Sequence, residues 1–175
     1  MYYGPKPKEK VETPLLMKLI LITGGFIFAL VITRIFVTPY RVGNDTMIPN
    51  YKKGTIVFIH KHITPRRGDA VLFHSPAGDD ATALKRVLAV PGEVVEISDK
   101  TIFVNGKKFE PAWKSVMKDA RVLDQKFSGR DRMSPRVLGP DEYFLAGDNL
   151  DESMDSRETG PVKSDAIIGR VFASF

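Results

Sequence analysis

An apolar segment near the N-terminus constrains this chain more than any other feature. Residues 15–37 read LLMKLILITGGFIFALVITRIFV, and their uncharged part, residues 19–33, is shorter than the ~20 residues that cross a bilayer core. Lys18 and Arg34 flank that part and can extend their charged ends to the membrane surface, so the whole segment is long enough to span. The sequence therefore predicts a transmembrane helix over residues 15–37.

Two other interpretations of this segment are a cleaved export signal and a helix buried in a soluble core. A cleaved signal needs small residues just before its cleavage site, and Val-Thr-Pro-Tyr at 37–40 does not supply them. An uncleaved anchor is therefore favoured. Its orientation stays open, because four basic residues precede the span and four follow it: Lys6, Lys8, Lys10 and Lys18, then Arg34, Arg41, Lys52 and Lys53.

Composition limits the size and the chemistry of the rest of the chain. With 175 residues, it holds one membrane segment and one modest domain with a core of its own. The net charge of +5 comes from scattered basic residues, which fits a membrane surface better than a nucleic acid partner. The absence of cysteine excludes disulfides and thiolate chemistry, and three histidines without an evident further ligand predict no metal site.

Beyond residue 39 the helical periodicity stops, and short β-rich runs alternate with turn signals. This pattern predicts an all-β sandwich or partly open barrel. Asn105 and Gly106 mark a hairpin turn, and residues 111–140 are polar, poor in strand signal and predicted as a long excursion or flap. The predicted strands cover residues 55–61, 70–74, 83–90, 94–97, 101–104, 142–146 and 166–172.

Four short stretches resemble, in their order, the sequence boxes of type I signal peptidases, the bacterial leader peptidase family. They read VGNDTMIPNYKKGT at 42–55, RRGDAVLF at 66–73, LKRVLAVPGE at 84–93 and GDNLDESMDSRETGPV at 147–162. The last is the most specific, because GDN, S-x-D-S-R and a following G form one long match. The resemblance implies a signal-peptidase-like β domain, with a cytoplasmic tail at 1–14, an anchor at 15–37 and an extracytoplasmic catalytic domain at 38–175.

The resemblance assigns two catalytic positions. In the family a serine hydroxyl attacks the peptide carbonyl and a neutral lysine amine takes its proton, so Thr46 stands at the nucleophile and Lys85 at the general base. A lysine with the ordinary pKa of about 10.4 is protonated at pH 7, so a lysine that acts as a base must be buried. Leu84 and Val87 fit that need, and Arg86 is expected on the opposite face of the strand. Without the resemblance, a solvated strand lysine is the alternative.

Thr46 departs from the serine of the family. Threonine keeps the hydroxyl, but its methyl group restricts χ1 and must fit beside the base and the scissile carbonyl. The family builds its oxyanion hole from the N–H of the nucleophile and a group two residues earlier, so the resemblance implies that Asn44 donates its side-chain or backbone N–H there. Asn44 and Asp45 replace residues of which the family usually keeps at least one small. An ordinary turn is the alternative for both.

The last box supplies supporting roles. Ser153 matches a serine that hydrogen-bonds and orients the base lysine, and Asp155 and Arg157 match a structural ion pair beside the site. A Ser/Asp-rich loop that caps a helix is the alternative. Substrate-binding positions follow from the resemblance alone, which implies that shallow pockets for small residues are lined by Tyr40, Val42, Ala83 and Leu84.

The leading hypothesis is a membrane-bound endopeptidase that removes N-terminal signal peptides from exported preproteins without a cofactor. It implies a single-pass protein of the bacterial plasma membrane, with its N-terminus in the cytoplasm and its β domain outside. Its partners are signal peptides and the lipid membrane, not nucleic acid. A catalytically inactive homologue that binds exported proteins or a partner peptidase is the main alternative. A self-cleaving repressor is a remote one, because such proteins carry DNA-binding helices where this chain has an apolar span.

Overall fold

The computed structural model describes residues 14–75 and 82–175, and the chain divides into two compact units at residues 35 and 36. Helix α1 covers Leu15–Phe36, has no buried residue, and is long and apolar enough to cross a membrane. An apolar helix that is exposed on every side suits a lipid environment. The predicted tail at 1–14 lies outside the described residues except for Pro14.

The second unit is built from antiparallel strands, numbered here in chain order. They are β1 (Val37–Arg41), β2 (Ile56–Lys61), β3 (Ala70–His74), β4 (Thr82–Ala89), β5 (Val94–Ser98), β6 (Thr101–Val104), β7 (Lys107–Lys108), β8 (Met133–Val137), β9 (Glu142–Ala146), β10 (Val162–Lys163) and β11 (Ile167–Ser174). One sheet has the order β1-β2-β11-β3-β4-β9-β10 and the other the order β7-β6-β5-β8. The predicted β domain preceded by one apolar helix is confirmed.

Shifts of register bend these sheets. In the larger sheet they fall between Val87 and Ala89 on β4 and twice along β11, and each shift increases the local twist of its strand. The seven strands therefore curl into a half-barrel. Short helical pieces, α2 (Ser156–Thr159) and a 3₁₀ turn (Ser164–Ala166), lie between β9 and β11.

Strand β7 is the return strand of the hairpin predicted at Asn105 and Gly106, and three further strands were not predicted. Strand β8 lies inside the predicted excursion 111–140, so that excursion is interrupted by regular structure and its irregular part ends before residue 133. The signal for β8 is weak because it is an edge strand with four of its five residues exposed, and it carries a proline. Strand β10 has only two residues, and β1 follows α1 directly without a turn signal.

Strand β4 is buried from its third residue to its last, so the basic side chains that it carries must find partners inside the domain. Its residues enter different packing clusters: Leu84 packs with Met47, and Leu88 with Phe144. Lys85 and Arg86 lie between these positions and are buried too. Because successive side chains of a strand point to opposite faces, each cation needs its own polar partners on its own face.

The irregular part of the excursion packs against residues 147–158. Val116 N–H donates to Asp148 O (2.8 Å), and Leu150 N–H donates to Val116 O (2.9 Å). The Asp151 carboxylate accepts from the backbone N–H groups of Lys118 and Asp119. The excursion is therefore hydrogen-bonded to the last sequence box and helps to hold it in place.

Candidate active site

Thr46 lies in a turn between β1 and β2 that the domain holds firmly. Val42 N–H donates to Thr55 O (2.9 Å), Gly54 N–H donates to Val42 O (2.8 Å), and the Met47 side chain is completely buried. Thr46 O accepts from Asn149 N–H (3.0 Å), which ties the turn to the last box. The backbone that carries the Thr46 hydroxyl is thus fixed on two sides.

Lys85 is only 3% exposed, and its Nζ donates to Ser153 Oγ (2.7 Å). Burial lowers the pKa of Lys85 to about 8, because desolvation penalises the ammonium; Asp155 opposes this shift and Arg157 adds to it. About a tenth of the amine is therefore neutral at pH 7, far more than for an ordinary lysine. The contact between Lys85 and Ser153 is the one that the resemblance implies.

Asp155 and Arg157 form a buried ion pair behind Ser153. Arg157 Nε donates to Asp155 Oδ1 (2.8 Å), and Gly147 N–H donates to Asp155 Oδ2 (2.9 Å). Burial alone would raise the pKa of Asp155, but hydrogen bonds from Arg157 and Ser153 lower it, so the carboxylate stays charged. Asp155 also caps α2 by accepting from Arg157 N–H (3.2 Å), so the capping role and the ion pair coexist.

A cavity of about 210 Å³ brings the predicted catalytic residues together. Thr46 and Lys85 both line it, together with Asn44, Ala83 and Asp155 among the predicted residues. Phe73, Met154 and Val162 give the cavity apolar walls, and Glu152 adds a carboxylate to its lining.

Three of the four predicted substrate-binding residues do not line this cavity. Val42 and Leu84 are 2% and 4% exposed and pack around Met47 in the core, so neither side chain faces this cavity, and their assignment to substrate pockets stays a prediction. The resemblance alone placed them there, and in this structure both side chains face the core. Tyr40 is half-buried, and its hydroxyl donates to Thr82 O (3.2 Å) at the start of β4.

The Thr46 hydroxyl donates to Asn44 Oδ1 (2.7 Å) rather than to Lys85. Thr46 N–H donates to the same oxygen (3.3 Å), the arrangement of an Asx turn. Asn44 faces Thr46 with its acceptor, so the oxyanion donor implied at Asn44 stays a prediction. The turn alternative for this residue describes the geometry well.

Sequence reasoning missed the partner of Arg86. Its Nε and one terminal nitrogen donate to the two oxygens of Asp148, each at 2.7 Å, and its guanidinium lies 4.8 Å from the Trp113 ring centroid. Asn50 also donates to Asp148 (2.8 Å), which joins the nucleophile turn to this pair. Strand alternation was a usable signal, since a buried arginine opposite Lys85 requires a carboxylate.

Gly147 lies where the turn that carries Thr46 comes close to the segment that carries Ser153. A Cβ added there would lie 2.5 Å from Thr46 O and 2.5 Å from Ser153 Cβ, closer than real contacts allow. Glycine therefore permits the Thr46 turn and the Ser153 segment to approach each other.

Within the described residues, no cluster of three or more His, Cys, Asp or Glu could hold a metal ion.

Comparison with known proteins gives the family. A family model described as signal peptidase, peptidase S26, matches residues 15–175. Signal peptidase IB of Staphylococcus aureus is 31% identical over 176 aligned positions, covering 94% of this chain and 91% of that protein. Signal peptidase I V of Bacillus subtilis is 34% identical over 138 positions, covering 74% and 80%. The chain belongs to the signal peptidase family S26.

A solved structure is similar as well. The crystal structure of a signal peptidase I from Enterococcus faecalis V583 shares 26% sequence identity with this chain, with a TM-score of 0.49. The match covers 63% of this chain and 98% of the solved one.

Proposed function

We propose that this chain is a membrane-bound endopeptidase that removes N-terminal signal peptides from exported proteins, with the Thr46 hydroxyl as nucleophile and the neutral Lys85 amine as general base. Membership of the signal peptidase family supports the reaction, and the relatives named above are themselves called signal peptidases. The apolar cavity that Thr46 and Lys85 share supports the choice of residues.

The observation that carries the proposal is the buried Lys85, with its pKa lowered to about 8 and its Nζ bonded to Ser153. Desolvating a lysine is costly, and a purely structural position has no need of it. A neutral amine fixed by a hydroxyl is what a lysine base requires, because its lone pair then has one direction.

In the proposed reaction the Thr46 hydroxyl oxygen attacks the carbonyl carbon while Lys85 Nζ takes the hydroxyl proton. Thr46 N–H donates to the oxyanion of the tetrahedral intermediate. Collapse of that intermediate breaks the peptide bond, and the Lys85 ammonium returns its proton to the leaving amine. Lys85 then deprotonates a water molecule that attacks the acyl ester, and the Lys85 ammonium returns this proton to Thr46 Oγ1 as the ester C–O bond breaks.

Cleavage of a purified exported precursor by the full-length chain in detergent is expected to increase as the pH rises through about 8. The sign follows from the base: only the neutral amine accepts a proton, and its share grows as the pH passes the pKa. At pH 7 about a tenth of the maximal rate is expected from a pKa near 8. Initial rates between pH 6 and 10 measure this profile.

Two matched variants test the nucleophile in the same assay. Thr46→Val keeps the branched shape and removes the hydroxyl, so cleavage should fall by roughly 10³-fold or more. Thr46→Ser keeps the hydroxyl and relieves the χ1 restriction, so it should cleave at least as fast as the parent. Equal rates of cleavage by Thr46→Val and by the parent would exclude Thr46 as the nucleophile. An inert parent with an active Thr46→Ser would instead identify a homologue disabled at its nucleophile.

We further propose that α1 anchors the chain in the bacterial plasma membrane, with the N-terminus in the cytoplasm and the β domain outside. The length and apolar composition of α1 support an anchor. Protease added to intact spheroplasts should digest the β domain, and permeabilisation should be needed for digestion of an N-terminal tag. Full protection of the β domain before permeabilisation would contradict this topology.

A further inference from the structure

Both polar hydrogens of Thr46 point at one atom. The hydroxyl donates to Asn44 Oδ1 at 2.7 Å and the backbone N–H donates to it at 3.3 Å. These are the two groups that the proposed reaction uses, the hydroxyl for attack and the N–H for the oxyanion. A side chain two residues earlier holds both.

In this arrangement the hydroxyl of the proposed nucleophile is hydrogen-bonded to Asn44, and the amine of the proposed base to Ser153. A hydroxyl has one proton, and while it points at Asn44 it does not point at the amine of Lys85. Lys85 is bonded to Ser153 at 2.7 Å and faces the same cavity as Thr46 and Asn44. Transfer of the proton to Lys85 therefore requires the hydroxyl to turn away from Asn44.

The part of this arrangement that can move is the Asn44 side chain. The turn itself is fixed, since Met47 is fully buried, Asn149 N–H donates to Thr46 O (3.0 Å), and Lys53 N–H donates to Asp45 Oδ1 (3.0 Å). Asn44 is exposed at the edge of the cavity, so its side chain can rotate without disturbing the core.

We propose that Asn44 is a positioning residue that holds Thr46 in a resting arrangement, and that an entering peptide carbonyl displaces it. The carbonyl oxygen then takes the place of Asn44 Oδ1 at Thr46 N–H, and the freed hydroxyl turns toward Lys85. This inference rests on the proposed function. It implies that the residue at position 44 influences the rate of cleavage, because the Thr46 hydroxyl must leave it before attack. It also gives Asn44 a role as hydrogen-bond acceptor rather than as oxyanion donor.

Removing this acceptor should accelerate cleavage. Asn44→Ala is expected to raise the single-turnover rate constant for cleavage by on the order of fivefold, the worth of one neutral hydrogen bond, and to leave the pH midpoint near its parental value. Asn44→Asp keeps the acceptor and makes it charged, so it should slow cleavage roughly tenfold or more. Its carboxylate also favours the Lys85 ammonium, so the pH midpoint should move to higher pH.

The assay is single-turnover cleavage of the precursor by the full-length chain in detergent, from pH 6 to 10. Gln125→Ala is the matched control, because it also removes an exposed side-chain amide but lies outside the cavity. Thermal unfolding of each variant separates a rate change from a loss of fold, and the control should match the parent in both measurements.

Each outcome decides between roles. A faster Asn44→Ala, a slower Asn44→Asp and an alkaline shift only in Asn44→Asp establish the inference. If Asn44→Ala loses about 10²-fold while Thr46→Val is inert, the inference is wrong, and Asn44 is an oxyanion donor within an intact mechanism. If Thr46→Val cleaves like the parent, the proposed function itself is wrong. Equal rates for Asn44→Ala and the parent also overturn the inference.

Discussion

Replacing Lys85 with methionine is expected to lower cleavage of an exported precursor by roughly 10³-fold or more, at every pH between 6 and 10. Methionine has a similar length and fits the buried path of β4, but it cannot accept a proton. The free energy of unfolding should stay equal or increase, because methionine carries no ammonium to desolvate. Activity and stability are thus expected to move apart, as they do where a costly group is kept for function.

Lys107→Met is the matched control, since Lys107 is exposed on β7 and lies outside the cavity. It should leave both cleavage and stability unchanged. Unfolding in urea can be followed through Trp113, the single tryptophan, which packs against Arg86. Cleavage by Lys85→Met within tenfold of the parent would show that another group takes the proton.

Gly147→Ala should destabilise the β domain and also reduce cleavage. The added methyl would lie 2.5 Å from both Thr46 O and Ser153 Cβ, and the first of these atoms is backbone that cannot rotate away. Overpacking of this kind costs about 1–3 kcal/mol in the free energy of unfolding. The separation of the Thr46 turn from Ser153 should lower cleavage by about 10²-fold even where the variant is folded, because reacting groups tolerate little displacement.

Gly43→Ala is the control for stability. A Cβ at Gly43 meets nothing within 4 Å and its φ lies outside the left-handed region, so its free energy of unfolding should match the parent or exceed it slightly. Urea unfolding and single-turnover cleavage at 10 °C, where Gly147→Ala is most folded, separate the two effects. Parental cleavage by Gly147→Ala would mean that the approach of the two segments is not needed for the reaction.

The features that the sequence predicts best are strands with alternating or apolar patterns and contacts that belong to a long motif. Strands such as β3, β6 and β9 begin and end where alternation and turn residues place them, because each has one face or both in the core. The contact between Lys85 and Ser153 follows from the resemblance of the last box. In contrast, β8 is exposed at an edge, and nothing in its composition marks it as a strand.

Contacts set by side-chain torsions and by strand faces are harder to predict. Asn44 was assigned as a donor, and whether its amide presents oxygen or nitrogen to Thr46 depends on a local turn that the motif does not define. Val42 and Leu84 were assigned to substrate pockets, yet they face the core around Met47. The pair of Arg86 with Asp148 joins residues 62 positions apart, and only the packing of β4 beside β9 makes them neighbours.

Strand β4 carries two basic residues in succession, and the domain treats them as opposites. Lys85 is held where it readily gives up its charge, whereas Arg86, one residue later, keeps its charge against Asp148. A slip of β4 by one residue against β3 would exchange them and aim a guanidinium, which does not deprotonate in proteins, at the Thr46 cavity. A protein with this slip in β4 would therefore lack the proposed base at the cavity and would not cleave its substrate. The alignment of β4 with its neighbours is itself a requirement of the proposed catalysis.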